Sequence, residues 1–87
     1  MLATVNFILS FHDLAKEFTA KRKALGFTQA QVAKNVGLRR ETIIQIEAGE
    51  NVQVYSLLKA VSALGKAIEI VDRRIDYDRL KEMFDDS

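Results

Sequence analysis

The chain predicts an all-α fold: a compact bundle of short helices followed by one C-terminal β-strand. Three observations predict it. Apolar residues recur at three- and four-residue intervals through four segments, each stopped by a glycine. There is no proline among the 87 residues, so no helix is interrupted from within. Only after the fourth segment does the period change to two, in KAIEIVD.

The first helix is predicted from about Phe11 to Leu25. Ser10 and Asp13 form an S-x-x-D capping box at its start. Leu14, Phe18 and Leu25 share one face, Lys16, Lys21 and Lys23 lie elsewhere, and Gly26 is a left-handed stop. The second helix starts on Thr28 as N-cap, with Gln31 completing a T-x-x-Q box. Val32, Ala33 and Val36 make its buried stripe, and Gly37 ends it. In the third helix, GLRRETIIQIEAGE, residues Leu38, Ile43 and Ile46 point to the core. Its exposed face carries Arg39, Arg40, Glu41 and Gln45, with Ile44 among them. Arg39 falls at the N-cap position, where it caps poorly, and Gly49 closes the helix.

Residues 50–53 read as a loop. The fourth helix, VYSLLKAVSALG, places Leu57, Leu58, Val61 and Leu64 at core spacing, with Gly65 as its stop. In the strand that follows, Ile68 and Ile70 share one face; Ala67, Glu69 and Val71 share the other. A lone strand cannot satisfy its own backbone groups, so it requires a partner. The tail from Ile75 onward has five acidic and two basic residues and suits a last short helix through Tyr77, Leu80 and Phe84.

Composition narrows the function. A chain of 87 residues, 48% hydrophobic and 29% charged, suits one small globular domain. It has no cysteine and one histidine, His12, which excludes thiolate or histidine-cluster metal sites and leaves no nucleophile–base pair. We expect no cofactor, no metal and no enzymatic activity. Net charge is +1, so any basic patch must be local. No apolar run is long enough to span a membrane, and the apolar N-terminus lacks a basic leader and a cleavage site. That segment reads as an arm or short strand packing on the domain or on a second subunit, in a cytoplasmic protein.

The second and third helices meet across Val36–Gly37–Leu38, with dimensions that suit a helix-turn-helix. Ala33 is small where the next helix crosses, and Gly37 can take the positive φ of the turn. The stretch TQAQVAKNVGLRRETIIQIEAGENVQVYSLLKAVSALG resembles the XRE family, the lambda-repressor-like helix-turn-helix proteins. The resemblance covers about residues 11–65 and rests on T-Q opening the second helix, A-x-x-x-G at the turn, T-I-x-x-I-E-x-G in the third helix and L-L-K-x-x-x-A-L-G in the fourth. With the KAIEIV strand, the chain is most similar to HipB-type antitoxins.

The resemblance implies a five-helix-like core, trimmed in some members, that binds palindromic double-stranded DNA operators as a homodimer. The third helix is then the one that enters the major groove. There Arg40 suits guanine, Gln45 adenine, Glu41 a cytosine amine and Ile44 a thymine methyl. Gln29, at the start of the second helix, matches the family's phosphate contact; Arg39, Thr42 and Asn51 are further candidates. Thr28 caps, Lys34 is a solvated charge, and His12 is a surface residue. Arg22 and Glu47 match a buried ion pair that joins the first and third helices in this family; a phosphate contact by Arg22 is the competing role.

The organisation expected is an arm at 1–10, the DNA-binding domain at 11–65, a dimerising strand at 66–74 and an acidic tail at 75–87. Ala67, Ile68, Glu69, Ile70 and Val71 would form the dimer interface. The function expected is transcriptional repression, as the antitoxin of a type II toxin–antitoxin pair that autoregulates its operon. The alternatives are a free-standing regulator without a toxin, or a protein that works chiefly by inhibiting a toxin enzyme.

Overall fold

The computed structural model describes residues 8–72. Four helices follow in order: α1 (Phe11–Ala24), α2 (Gln29–Val36), α3 (Arg40–Glu47) and α4 (Val54–Ala63). Most of the N-terminal arm and the Tyr77–Phe84 tail lie outside the described residues. No helix among the described residues is long and apolar enough to cross a membrane.

Local chemistry sets the first two starts. The Ser10 hydroxyl accepts from the Asp13 N–H at 3.1 Å. At Thr28 the box is reciprocal: Thr28 Oγ1 accepts from Gln31 N–H (3.1 Å) while Gln31 Oε1 accepts from Thr28 N–H (2.8 Å). The α2–α3 turn hinges on Gly37, at φ 68° and ψ 31°. Leu38 N–H reaches back to Ala33 O (2.9 Å) and Gly37 N–H to Lys34 O (3.4 Å), the double bond of a Schellman stop. An L-residue with a side chain is strained there, which is why glycine ends α2.

The core forms where α2, α3 and α4 converge, with Phe18 of α1 closing it. Val32, Ile43, Ile46 and Ala60 are fully buried, and Ala33 is small enough to lie in the α2–α3 seam. Fully burying a side chain such as Ile43 contributes roughly 1.5–3 kcal/mol. Phe11, Leu14, Phe27, Leu38 and Val52 pack partly buried around this centre.

Three expectations need correction. Leu25 is exposed, because α1 has ended before it and Phe27, in the link, packs against the core instead. Leu58 is also exposed: the buried face of α4 is Leu57, Ala60, Val61 and Leu64, at i, i+3, i+4 and i+7, and Leu58 stands about 100° away from Leu57 around the helix. Val36 is half-buried where full burial was expected.

Residues 66–72 form no strand within the chain. Ala67, Ile68, Glu69, Ile70 and Val71 are all exposed, with Ile70 at 98%. Ile68 and Ala67 still reach the lip of a shallow apolar groove floored by Leu14, Phe18, Val61 and Leu64.

Candidate nucleic-acid interface

The exposed edge of the molecule is built on α3. Its inward residues, Ile43 and Ile46, are sealed in the core, which fixes the rotation of the helix. The opposite face is thereby turned outward, and Arg40, Glu41 and Gln45 are exposed on it. Ile44, an isoleucine on this polar face, is 40% exposed. Thr42 is half-buried, Arg39 is exposed at the N-cap, and Asn51 is exposed in the α3–α4 link. Among the described residues, no hydrogen bond or ion pair engages the side chains of Arg39, Arg40, Glu41, Gln45 or Asn51.

The start of α3 is uncapped. Arg39 has extended backbone angles and makes no side-chain cap bond. Thr42 N–H bonds Arg39 O at 3.0 Å, but the Arg40 and Glu41 N–H groups have no acceptor among the described residues. Two backbone donors and two guanidinium groups therefore sit at one helix end, where the dipole favours an anion.

Behind this face lies a buried ion pair. Glu47, the last residue of α3, accepts from Arg22 Nε (2.5 Å) and Nη2 (2.9 Å) of α1 in a two-pronged geometry. The two side chains are only 11% and 9% exposed. Arg22 Nη1 also donates to Phe27 O at 2.7 Å, tying down the α1–α2 link. The Glu47 hydrogen bond holds the Arg22 guanidinium above its ordinary range. Burial pushes the Glu47 carboxyl up, but hydrogen bonds from Arg22 and Gln29 and the charge of Arg22 outweigh it, so the carboxyl stays below its ordinary value of 4.5. Arg22 is thus an internal strut, and its competing role as a phosphate contact is set aside.

One contact was not foreseen. Gln29 Nε2 donates to Glu47 Oε1 at 3.2 Å, so this side chain is half-buried and directed toward α3. The partners are 18 residues apart in the chain, and no local spacing rule signals such a pair. The sequence does mark Gln29 as the first residue of a helix whose following turn is capped without it.

The helix-turn-helix family matches residues 19–71, which takes in all of α2, α3 and α4. The chain belongs to the XRE-type helix-turn-helix family. An uncharacterized HTH-type transcriptional regulator of Haemophilus influenzae is 38% identical to this XRE-type chain over 63 residues, 71% of the chain. The chain spans 64% of that relative's length. Among solved structures, a "HipB-O4 20mer complex" matches with a TM-score of 0.76 and 25% identity, covering 80% of this chain and 100% of that one. The "HipA-HipB-O2-O3 complex" matches with the same score, identity and coverage. The XRE-type helical bundle expected from the sequence is therefore observed, without the C-terminal strand among the described residues, and solved structures similar to it include HipB complexes.

Proposed function

We propose that the chain is a sequence-specific DNA-binding repressor that acts as a homodimer on a palindromic operator. The observation that carries this reading is the outward face of α3. It presents Arg39, Arg40, Glu41, Ile44 and Gln45 on a helix locked in rotation by Ile43 and Ile46, with no intramolecular demand on the polar groups among the described residues. In this reading Arg40 donates two bonds to a guanine, Gln45 pairs with an adenine, Glu41 accepts from a cytosine amine and Ile44 meets a thymine methyl. Arg39, Thr42, Asn51 and the start of α2 at Gln29 contact phosphates.

The dimer is assigned to Ala67–Val71, paired antiparallel with its own copy. Ile70 is almost wholly exposed, and among the described residues it has no strand beside it, so a second copy is a partner that suits it unless the N-terminal arm supplies the strand. A two-fold axis there would set two α3 helices about 34 Å apart, one turn of DNA. Within this reading the strand at 66–74 is a dimerising segment beside the DNA-binding domain at 11–65.

The chain further fits the antitoxin of a type II toxin–antitoxin pair that represses its own operon. Its likeness to HipB in a complex with HipA supports that role. Recovery of one stoichiometric enzyme in a pull-down from the native cell supports the antitoxin role; recovery of DNA alone supports a free-standing regulator. The DNA-binding reading is tested by selecting duplexes from a random pool. A palindromic consensus is expected, with affinity that falls as salt rises because bound phosphates release counterions. No enrichment over the starting pool would overturn the reading.

A further inference from the structure

The hydrogen bond between Gln29 and Glu47 joins the buried ion pair to the half-buried first residue of α2. Three donors converge on one carboxylate: Arg22 Nε, Arg22 Nη2 and Gln29 Nε2, the last two sharing Oε1. A carboxylate held ionised can only accept. The Gln29 amide must therefore turn its NH2 group, not its carbonyl, toward Glu47. Arg22 meanwhile grips Phe27 O, two residues before Gln29. The first turn of α2 is thus held from both sides of Thr28, by Phe27 and by Gln29, and both grips lead to Arg22 and Glu47.

We propose that Glu47 is a positioning residue for the phosphate contact of Gln29, in addition to bracing α3; this rests on the DNA-binding reading above. Glu47 selects one of the two flip states of the Gln29 amide. It also removes the rotational freedom that a glutamine at a helix start otherwise keeps. The second hydrogen of Nε2 and the Gln29 and Ala30 backbone N–H groups, which have no acceptor among the described residues, then form a fixed donor set for one phosphate oxygen. DNA bound through such a set requires no reorientation of the side chain. Glu47 itself touches no DNA and acts only through Gln29.

The test is a double-mutant cycle on the full chain, read with a random-sequence duplex well below the melting temperature. Glu47→Gln replaces the acceptor-only group by an amide that can face Gln29 with either end. It should weaken binding about tenfold, the scale of a hydrogen bond to a charged group. In a Gln29→Ala background the same change should do almost nothing, because the group that it positions is gone. Leu57→Ala, which destabilises the core without touching the network, should leave the affinity of the folded protein unchanged. In the free protein, NMR relaxation of the Gln29 Nε2H2 group should show a rigid amide that becomes mobile in Glu47→Gln. If Glu47→Gln does not fold, Gln29→Asn serves: the amide is kept but falls short of Glu47, and binding should be as weak as in Gln29→Ala. Equal losses for Glu47→Gln in both backgrounds, a Gln29 amide equally mobile with and without Glu47, or wild-type affinity in Gln29→Asn would each overturn the positioning role. A wild-type chain that binds no duplex at all overturns the repressor reading itself, and is told apart by that result alone.

Discussion

Helices α2 and α3 are the same length, eight residues each, and they pack directly on one another, yet they begin in opposite ways. Helix α2 starts on Thr28, whose hydroxyl and whose partner Gln31 satisfy two backbone N–H groups reciprocally. Helix α3 starts on Arg39, whose side chain satisfies none and whose carbonyl, among the described residues, takes only the Thr42 N–H. Helix α2 spends the first side chain inside it, Gln29, on an internal bond to Glu47, whereas α3 keeps Arg40, Glu41 and Gln45 outward and unengaged among the described residues. The difference separates two tasks. Helix α2 is fixed by its own caps and by Glu47, and in the proposed reading it grips one phosphate from that fixed position. Helix α3 forgoes a side-chain cap worth about 1 kcal/mol and leaves the side chains of Arg40, Glu41 and Gln45 unengaged among the described residues.

The comparison can be broken most severely at the strut that binds the two helices to α1. Glu47→Ala leaves Arg22 buried and unpaired, and a loss of about 3–5 kcal/mol in a denaturant melt is expected. A change well under 1 kcal/mol would mean that the pair is solvated. The same group sets a pH dependence. Its folded pKa lies below the ordinary value of 4.5, so its contribution is fully present above about pH 4.5 and is lost as pH falls through the folded pKa. Wild-type stability should therefore drop on acidification in that window, and Glu47→Gln, already weaker at pH 7, should lack that component of the drop.

The turn between the helices comes next. Nothing lies within 4 Å of a Cβ built on Gly37, so Gly37→Ala should cost only the left-handed backbone strain, about 1–2 kcal/mol. Gly37→Asn should cost less, since asparagine tolerates that region. The smallest and most informative pair exchanges the two starts. Thr28→Ala should cost about 1 kcal/mol by removing the α2 box. Arg39→Asp should do the reverse, stabilising α3 by about 0.3–1 kcal/mol through a cap and the helix dipole while weakening DNA binding. A variant of Arg39 that gains stability and keeps full affinity would remove the reason offered for the uncapped start.

Much of this contrast was legible in the sequence because caps and glycine stops are local. Thr28 and Gln31 make both bonds of the expected box, while at Ser10 only the hydroxyl half of the expected box is present among the described residues. The buried pair Arg22–Glu47 was visible through family resemblance, since 25 residues separate the partners. What escaped has physical reasons too. Periodicity marks a helix face but does not say which of two adjacent leucines is central, so it draws Leu58 inward beside Leu57 and gives no weight to Ala60, which is small and wholly buried. Leu25 continued the α1 stripe on paper, past the point where the helix stops. The Gln29–Glu47 bond depends on two helix ends meeting in space. The proposed pairing of Ala67–Val71 would be made with a second copy, so no contact within one chain reports it.

The central claim is that α3 reads bases while α2 holds the backbone. Binding-site selection on wild type, Arg40→Ala and Gln29→Ala tests it most directly. Arg40→Ala should lose about 1–3 kcal/mol of operator affinity and relax the preference at one base pair per half-site. Gln29→Ala should weaken all sequences alike and leave the consensus intact. An unchanged consensus in Arg40→Ala, or a shifted one in Gln29→Ala, would contradict the account.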